Sequence, residues 1–224
     1  MKSRITEFNF DKFSANGQPS LEKFADNERR RELGIALGIG DKLIIAAPED
    51  RAHQSSKGMS FYWRSDWCGI HLPFSPFVVD ILRTLRVAPA QLAAVAWCHI
   101  NSFEDMFYCN DLYFGNLPDK MPTLSLFLEF YEFVRSNSWI SIRKRTDCFA
   151  SINKIEDWSK GFYYLPHSEI TPELLGNINI RTEWNEKVEL PGRRFLTKIE
   201  KRMYQLVLRK YKRGIQSDYP CMNI

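Results

Sequence analysis

Between residues 75 and 134 the apolar side chains recur three and four positions apart, the spacing of one face of an α-helix. Ser75 stands where a helix cap would, and Pro76 follows at the first helical position, where its missing N–H costs nothing. Phe77, Val78, Ile81, Leu82 and Leu85 then line one face. Val87-Ala88-Pro89-Ala90 interrupts that helix, and a second is predicted from about Leu92, with Ala93, Trp97, Ile100, Phe103 and Phe107 on one side. Pro118 to Pro122 reads as a turn. After it Thr123 can cap a third helix whose stripe of Leu124, Phe127, Leu128, Tyr131 and Val134 runs unbroken.

Past Val134 the pattern changes to short aromatic and β-branched runs. Trp139 to Ile142 reads as a strand and Phe162 to Leu165 as another, together a small hairpin or ladder. Upstream, Lys42 to Ala47 closed by Pro48 predicts a short strand, followed by a polar loop through Gly58. The glycines at 34, 38 and 40 suggest a flexible connection. The last helix is predicted to begin near Phe195, with Phe195, Ile199, Met203 and Leu206 on one face and Lys198, Lys201, Arg202 and Arg209 on the others. The expected fold is thus α+β and predominantly helical: a compact helical core, a small β-hairpin and a C-terminal basic amphipathic helix. Its divisions would be a loosely ordered lead-in at 1–32, a domain at 33–165, a linker at 166–192 with one helical turn near Glu173 to Leu175, and a basic helix and tail at 193–224.

Composition supports a folded chain: 224 residues, 44% hydrophobic and 14% aromatic, enough apolar surface to offset the entropy of ordering. Glu7 and Asp11 interrupt the first residues where a secretory signal needs an apolar run, and the apolar stretches are too short to span a bilayer. Five cysteines, odd in number and widely spaced, suit a reducing compartment and free thiols. The expectation is an intracellular protein, nuclear or cytoplasmic, neither secreted nor in a membrane. Charge sharpens the picture. Between Arg193 and Arg213 stand nine basic residues against Glu200 alone, a local +8 that leaves −4 on the rest of a chain whose total is +4. A mildly acidic body with a cationic end points to a polyanionic partner.

The segment from Gly69 to Phe103 carries a Gly (Gly69), a Leu-Pro (Leu72-Pro73), a Pro-Phe helix start (Pro76-Phe77), the turn Ala88-Pro89-Ala90-Gln91-Leu92 and a helix with Trp97. In that order it resembles the gypsy-type transposon (transposase) domain family of plant mobile elements. Pro122-Thr123-Leu124 through Phe127 is similar to the family's next helix start, and Trp139 and Trp158 to Leu165 resemble its terminal strands. Ser138-Trp139-Ile140-Ser141-Ile142 departs from the family's Gly-Trp-Tyr-Tyr-Phe. The likeness covers about 61–165 and rests on packing and turn residues. It implies origin in a plant retrotransposon, in its gag-like or otherwise uncharacterised leading region, and it carries over no catalytic residue.

Enzymatic chemistry finds little footing. A metal-dependent transposase or nuclease needs three converging carboxylates, and spacing nominates no trio; Glu129 and Glu132 read as a solvated pair on one helix face. Gly58-Met59-Ser60-Phe61-Tyr62 lacks the second glycine of a nucleophile elbow. The Gly34, Gly38 and Gly40 run lacks the Lys-Ser/Thr ending of a phosphate loop. Cys98, His99 and Cys109 do not have the paired spacing of a zinc site, and the cysteines read as buried helix thiols. His53, His71 and His167 are isolated, in turns or on the surface. No catalytic residue, metal ligand, cofactor or small-molecule substrate is expected. What remains is Arg193, Arg194, Lys198, Lys201, Arg202, Arg209, Lys210, Lys212 and Arg213, interleaved with Tyr204 and Tyr211, together with Arg143-Lys144-Arg145 and Arg29-Arg30-Arg31. Cations release counterions from phosphates and aromatic rings stack on bases, so these residues are candidates for sequence-tolerant contact with RNA or DNA. The bland alternative is a solubilising face or one that docks on the acidic body. Three functions follow: a non-enzymatic gag-like protein that binds nucleic acid or self-associates, a Mg-dependent transposase or nuclease component, or an inert fragment of a decayed retrotransposon.

Overall fold

The computed structural model describes residues 27–46, 52, 57–62, 68–108, 114, 120–136, 139–149, 152, 158, 161–176 and 180–212. Most of the lead-in, along with His53, Cys109, Arg213 and Cys221, lies outside them. The fold is mixed α and β with small antiparallel sheets. In chain order come α1 (Asn27–Ala36), β1 (Ile44–Ile45), β2 (Gly58–Tyr62), α2 (Pro76–Leu85), α3 (Ala94–Tyr108), α4 (Leu124–Phe130), β3 (Tyr131–Ser136), β4 (Trp139–Lys144), β5 (Phe162–Pro166), α5 (Pro172–Leu175) and α6 (Lys198–Lys212).

The charge run at 28–32, expected in a loose lead-in, sits inside α1, which sends Leu33 into the core. Nor is the glycine run that follows a flexible connection. Gly38 turns the chain at φ +77°, and a Cβ on Gly34 would come within 1.8 Å of the Gly40 carbonyl oxygen, so only glycine permits this close return. Leu37 and Ile39 are buried beside it.

The two central helices stand close to where local signals put them. The Ser75 hydroxyl accepts from the Val78 N–H at 3.2 Å at the start of α2, and Arg86 closes it in the left-handed conformation. α3 starts two residues later than predicted. Leu92 forms a parallel bridge with Ile140, and Ala93 donates its N–H to the Ile140 carbonyl at 2.9 Å, so both stay extended. Phe103 of α3 is the hub of the core, its ring 5.2 Å from Phe127, 5.3 Å from Phe107 and 5.5 Å from Phe77.

The third helix is shorter than its apolar stripe. α4 stops at Phe130, and the chain turns at once into β3, with Tyr131 at φ −134° and ψ 161°. Tyr131 and Val134 are therefore strand residues, as is Glu132, which no longer shares a helix face with Glu129. The physical cause is long-range pairing. Tyr131↔Lys144 through Ser136↔Trp139 make a six-residue ladder with β4, and the Arg145 N–H takes the Phe130 carbonyl at 2.7 Å.

The two strands expected to pair with each other belong to different sheets. β4 pairs with β3, whereas β5 lies between β1 and β2 in a three-stranded sheet. β2, expected as the end of a polar loop, is buried along its whole length. Trp139 joins the sheets by donating its indole N–H to the Tyr62 hydroxyl at 3.2 Å.

The 166–192 segment, read as a linker, is pinned to the body. Gln91, wholly buried, donates to the Asn185 carbonyl at 2.8 Å and accepts the Asn185 N–H at 2.6 Å, as a neighbouring strand would. Arg135 donates to the Val188 carbonyl at 2.8 Å, and Ile180 and Val188 are buried. Among the described residues no helix is long and apolar enough to cross a membrane.

Candidate nucleic-acid interface

α6 starts where Thr197-Lys198-Ile199-Glu200 forms a reciprocal cap. The Glu200 N–H donates to the Thr197 hydroxyl at 3.2 Å, and the Thr197 N–H returns a bond to the Glu200 carboxylate at 2.7 Å. The other carboxylate oxygen accepts the hydroxyl of Thr123, the residue that caps α4. One buried carboxylate thus serves the N-termini of two helices, each a site that favours negative charge. Burial pushes its pKa up, but the bonds from Thr123 and from the Thr197 backbone and side chain outweigh that and hold it below the ordinary carboxylate range.

This cap sets which way α6 faces. Phe195 lies outside the helix, in chain without regular secondary structure, and Ile199 is 39% exposed; the inward face is Glu200, Met203 and Val207, with the Tyr204 ring tilted against Phe130 at 5.0 Å. The predicted face of Phe195, Ile199, Met203 and Leu206 is corrected accordingly: only Met203 of the four is fully buried. Tyr204 is half-buried and packs on Phe130, so it is not the freely exposed ring that the sequence suggested. On the opposite side Lys198, Lys201, Arg202, Gln205 and Arg209 are exposed. Spacings of three, four and seven residues bring the four cations onto one side of the helix. Lys210 is half-buried, with its pKa lowered by desolvation, and so stands apart from that stripe. The side chain of Lys212 is outside the described residues.

A second cationic group lies on the β3–β4 hairpin. Arg143 of β4 and Arg145, just past its end, both pair with Glu132 of β3, Arg145 at 3.2 Å. The hydrogen bond from Arg143, reinforced by the charges of Arg143, Arg145 and Arg193, holds the Glu132 carboxyl low. Arg193 therefore lies within electrostatic reach of the hairpin. Strand alternation turns Lys144 the other way, onto the Phe149 carbonyl at 3.1 Å. The α1 cations belong elsewhere, Arg30 bonding the Leu43 carbonyl and Arg31 pairing with Asp41, both at 3.3 Å.

Several of the remaining reactive groups have structural partners. Cys68, Cys98 and Cys148 are free thiols; Cys98 is buried, and a hydrogen bond with Cys68 lowers its pKa. His99 packs 5.1 Å from the Tyr131 ring, and burial, with Lys144 adding repulsion, lowers its pKa to about 4. Glu104 is raised by burial although Ser75 and Tyr108 bond it. His71 and His167 are exposed. A small cavity between β2, the Pro89–Gln91 turn and Trp158 has room for about one water. No three of the described His, Cys, Asp and Glu residues are grouped to hold a metal ion. No protein-family model, curated protein or solved structure matches the chain.

Proposed function

We propose that this chain is a non-enzymatic protein of transposable-element origin, gag-like in kind, that binds nucleic acid through the cationic surface of α6 and the residues before it. The supporting observation is the burial of Glu200. It is the one acid among residues 193–213, and it is 6% exposed and bonded inward, so Lys198, Lys201, Arg202 and Arg209 face solvent with no carboxylate of their own helix beside them. Arg193 and Arg194 extend the positive surface toward the hairpin arginines. Such a surface gains affinity by releasing phosphate counterions and reads no sequence. The transposon origin rests on the ordered motifs from Gly69 to Leu165.

Binding should therefore be steeply salt-dependent. With the six described exposed cations of 193–209 all engaged on duplex DNA, log K against log salt should fall with a slope no steeper than about −5. Replacing Lys198, Arg202 and Arg209 together by Gln should make that slope shallower by about 2 to 3 while the unfolding temperature stays put, as fluorescence anisotropy at several salt concentrations would record. Absence of salt-sensitive binding, or an unchanged slope in the triple variant, would count against the proposal. So would a cationic surface that proves only to pair copies of the chain in sedimentation.

A further inference from the structure

Phe195 is fully exposed, at 102% of its reference area, in the segment just before α6. A lone apolar side chain on a surface is ordinary. This one differs in its setting. Arg193, two residues before it, lies within electrostatic reach of Glu132, the carboxylate that Arg143 and Arg145 pair with, and Lys198, three residues after it, opens the α6 stripe. Chain length puts the Phe195 Cα at most about 7 Å from that of Arg193 and about 11 Å from that of Lys198. Along the chain the ring thus stands between exposed Arg193 and exposed Lys198, with Arg194 exposed beside it. Tyr204, the aromatic of α6 nearest the middle of the helix, packs on Phe130 instead.

We infer that Phe195 is a stacking platform for an unpaired base, so that the site takes single-stranded nucleic acid in preference to duplex. The inference rests on the nucleic-acid reading above. The chemistry is complementary in both halves: flanking cations track a flexible phosphate backbone, and an exposed ring offers its face to bases that a duplex keeps stacked on one another. No base-specific donor or acceptor is required, so the preference is for strandedness and not for sequence.

The test compares oligothymidylate and oligouridylate of about 20 nucleotides with a duplex of equal length, on the full chain. Phe195 has no packing to lose, so Phe195→Ala should fold as the parent does. It is expected to weaken single-strand binding by about 5- to 150-fold, to leave duplex binding within about twofold, and to be rescued by Phe195→Trp. Parallel losses on the DNA and RNA strands fit a base-stacking role, and a loss on one strand type alone shows which of the two the site takes. Salt-dependent binding that is equal for single strand and duplex and indifferent to Phe195→Ala overturns this inference and leaves the broader one standing. Failure of all three probes to bind removes both. Self-association abolished by Phe195→Ala, with nucleic-acid binding intact, would also overturn it.

Discussion

A neutral imidazole in the core makes stability respond to acid. His99 titrates near 4 when folded and near its ordinary 6.5 when unfolded, so its contribution is complete above pH 6.5 and is lost as pH falls toward 4. The shift corresponds to about 3 kcal/mol. Glu104 and Asp105, raised by burial, act in the opposite sense, favouring the fold as pH falls. Comparison with a His99→Gln variant isolates the imidazole. The difference in unfolding free energy between parent and variant should narrow by up to about 3 kcal/mol between pH 7 and 4 in denaturant titrations, and a constant gap would mean that His99 is not held neutral.

At the scale of elements, the joint between α4 and β3 decides which charges meet. In a helix running to Val134, Glu132 would have no reason to face Arg143; in the ladder the two are directly opposed. Arg143→Glu sets like charges against each other there and should lower the melting temperature more than Arg143→Ala does, with the excess shrinking as salt rises. Equal effects of the two substitutions would argue for the longer helix. The same joint shows where sequence reading succeeds and fails. α2 was legible because its signals are local: Ser75, Pro76 and the apolar spacing agree within ten residues. The end of α4 was not, because Tyr131 and Val134 continue the helical period although in the strand they fall on opposite faces, and the choice is made by β4 and the Arg145 to Phe130 bond. For α6, Phe195, Ile199 and Met203 fit the period, while the Thr197-to-Glu200 cap, a signal present in the sequence, starts the helix three residues later. That Glu200 also turns toward Thr123, 77 residues away, had no local signal. The cations of the candidate interface could be named in advance; their separation from the acid among them could not.

Across the whole molecule, the chain after β5 is fastened at successive points: Asn185 to Gln91, Val188 to Arg135, Glu200 to Thr123, Tyr204 onto Phe130. Between the second and third of these fastenings lies the exposed stretch at 192–195, which includes Arg193 and Arg194. Trypsin should cut there under native conditions, and the two products should still co-elute in gel filtration until denaturant is added; immediate separation would mean that these bonds do not hold the end in place. The Thr123–Glu200 bridge then has a practical meaning. The body and the terminal helix become two halves of a reconstituting pair, so that a synthetic peptide beginning at Thr197 could dock onto a truncated body and carry a reporter there without any covalent tether.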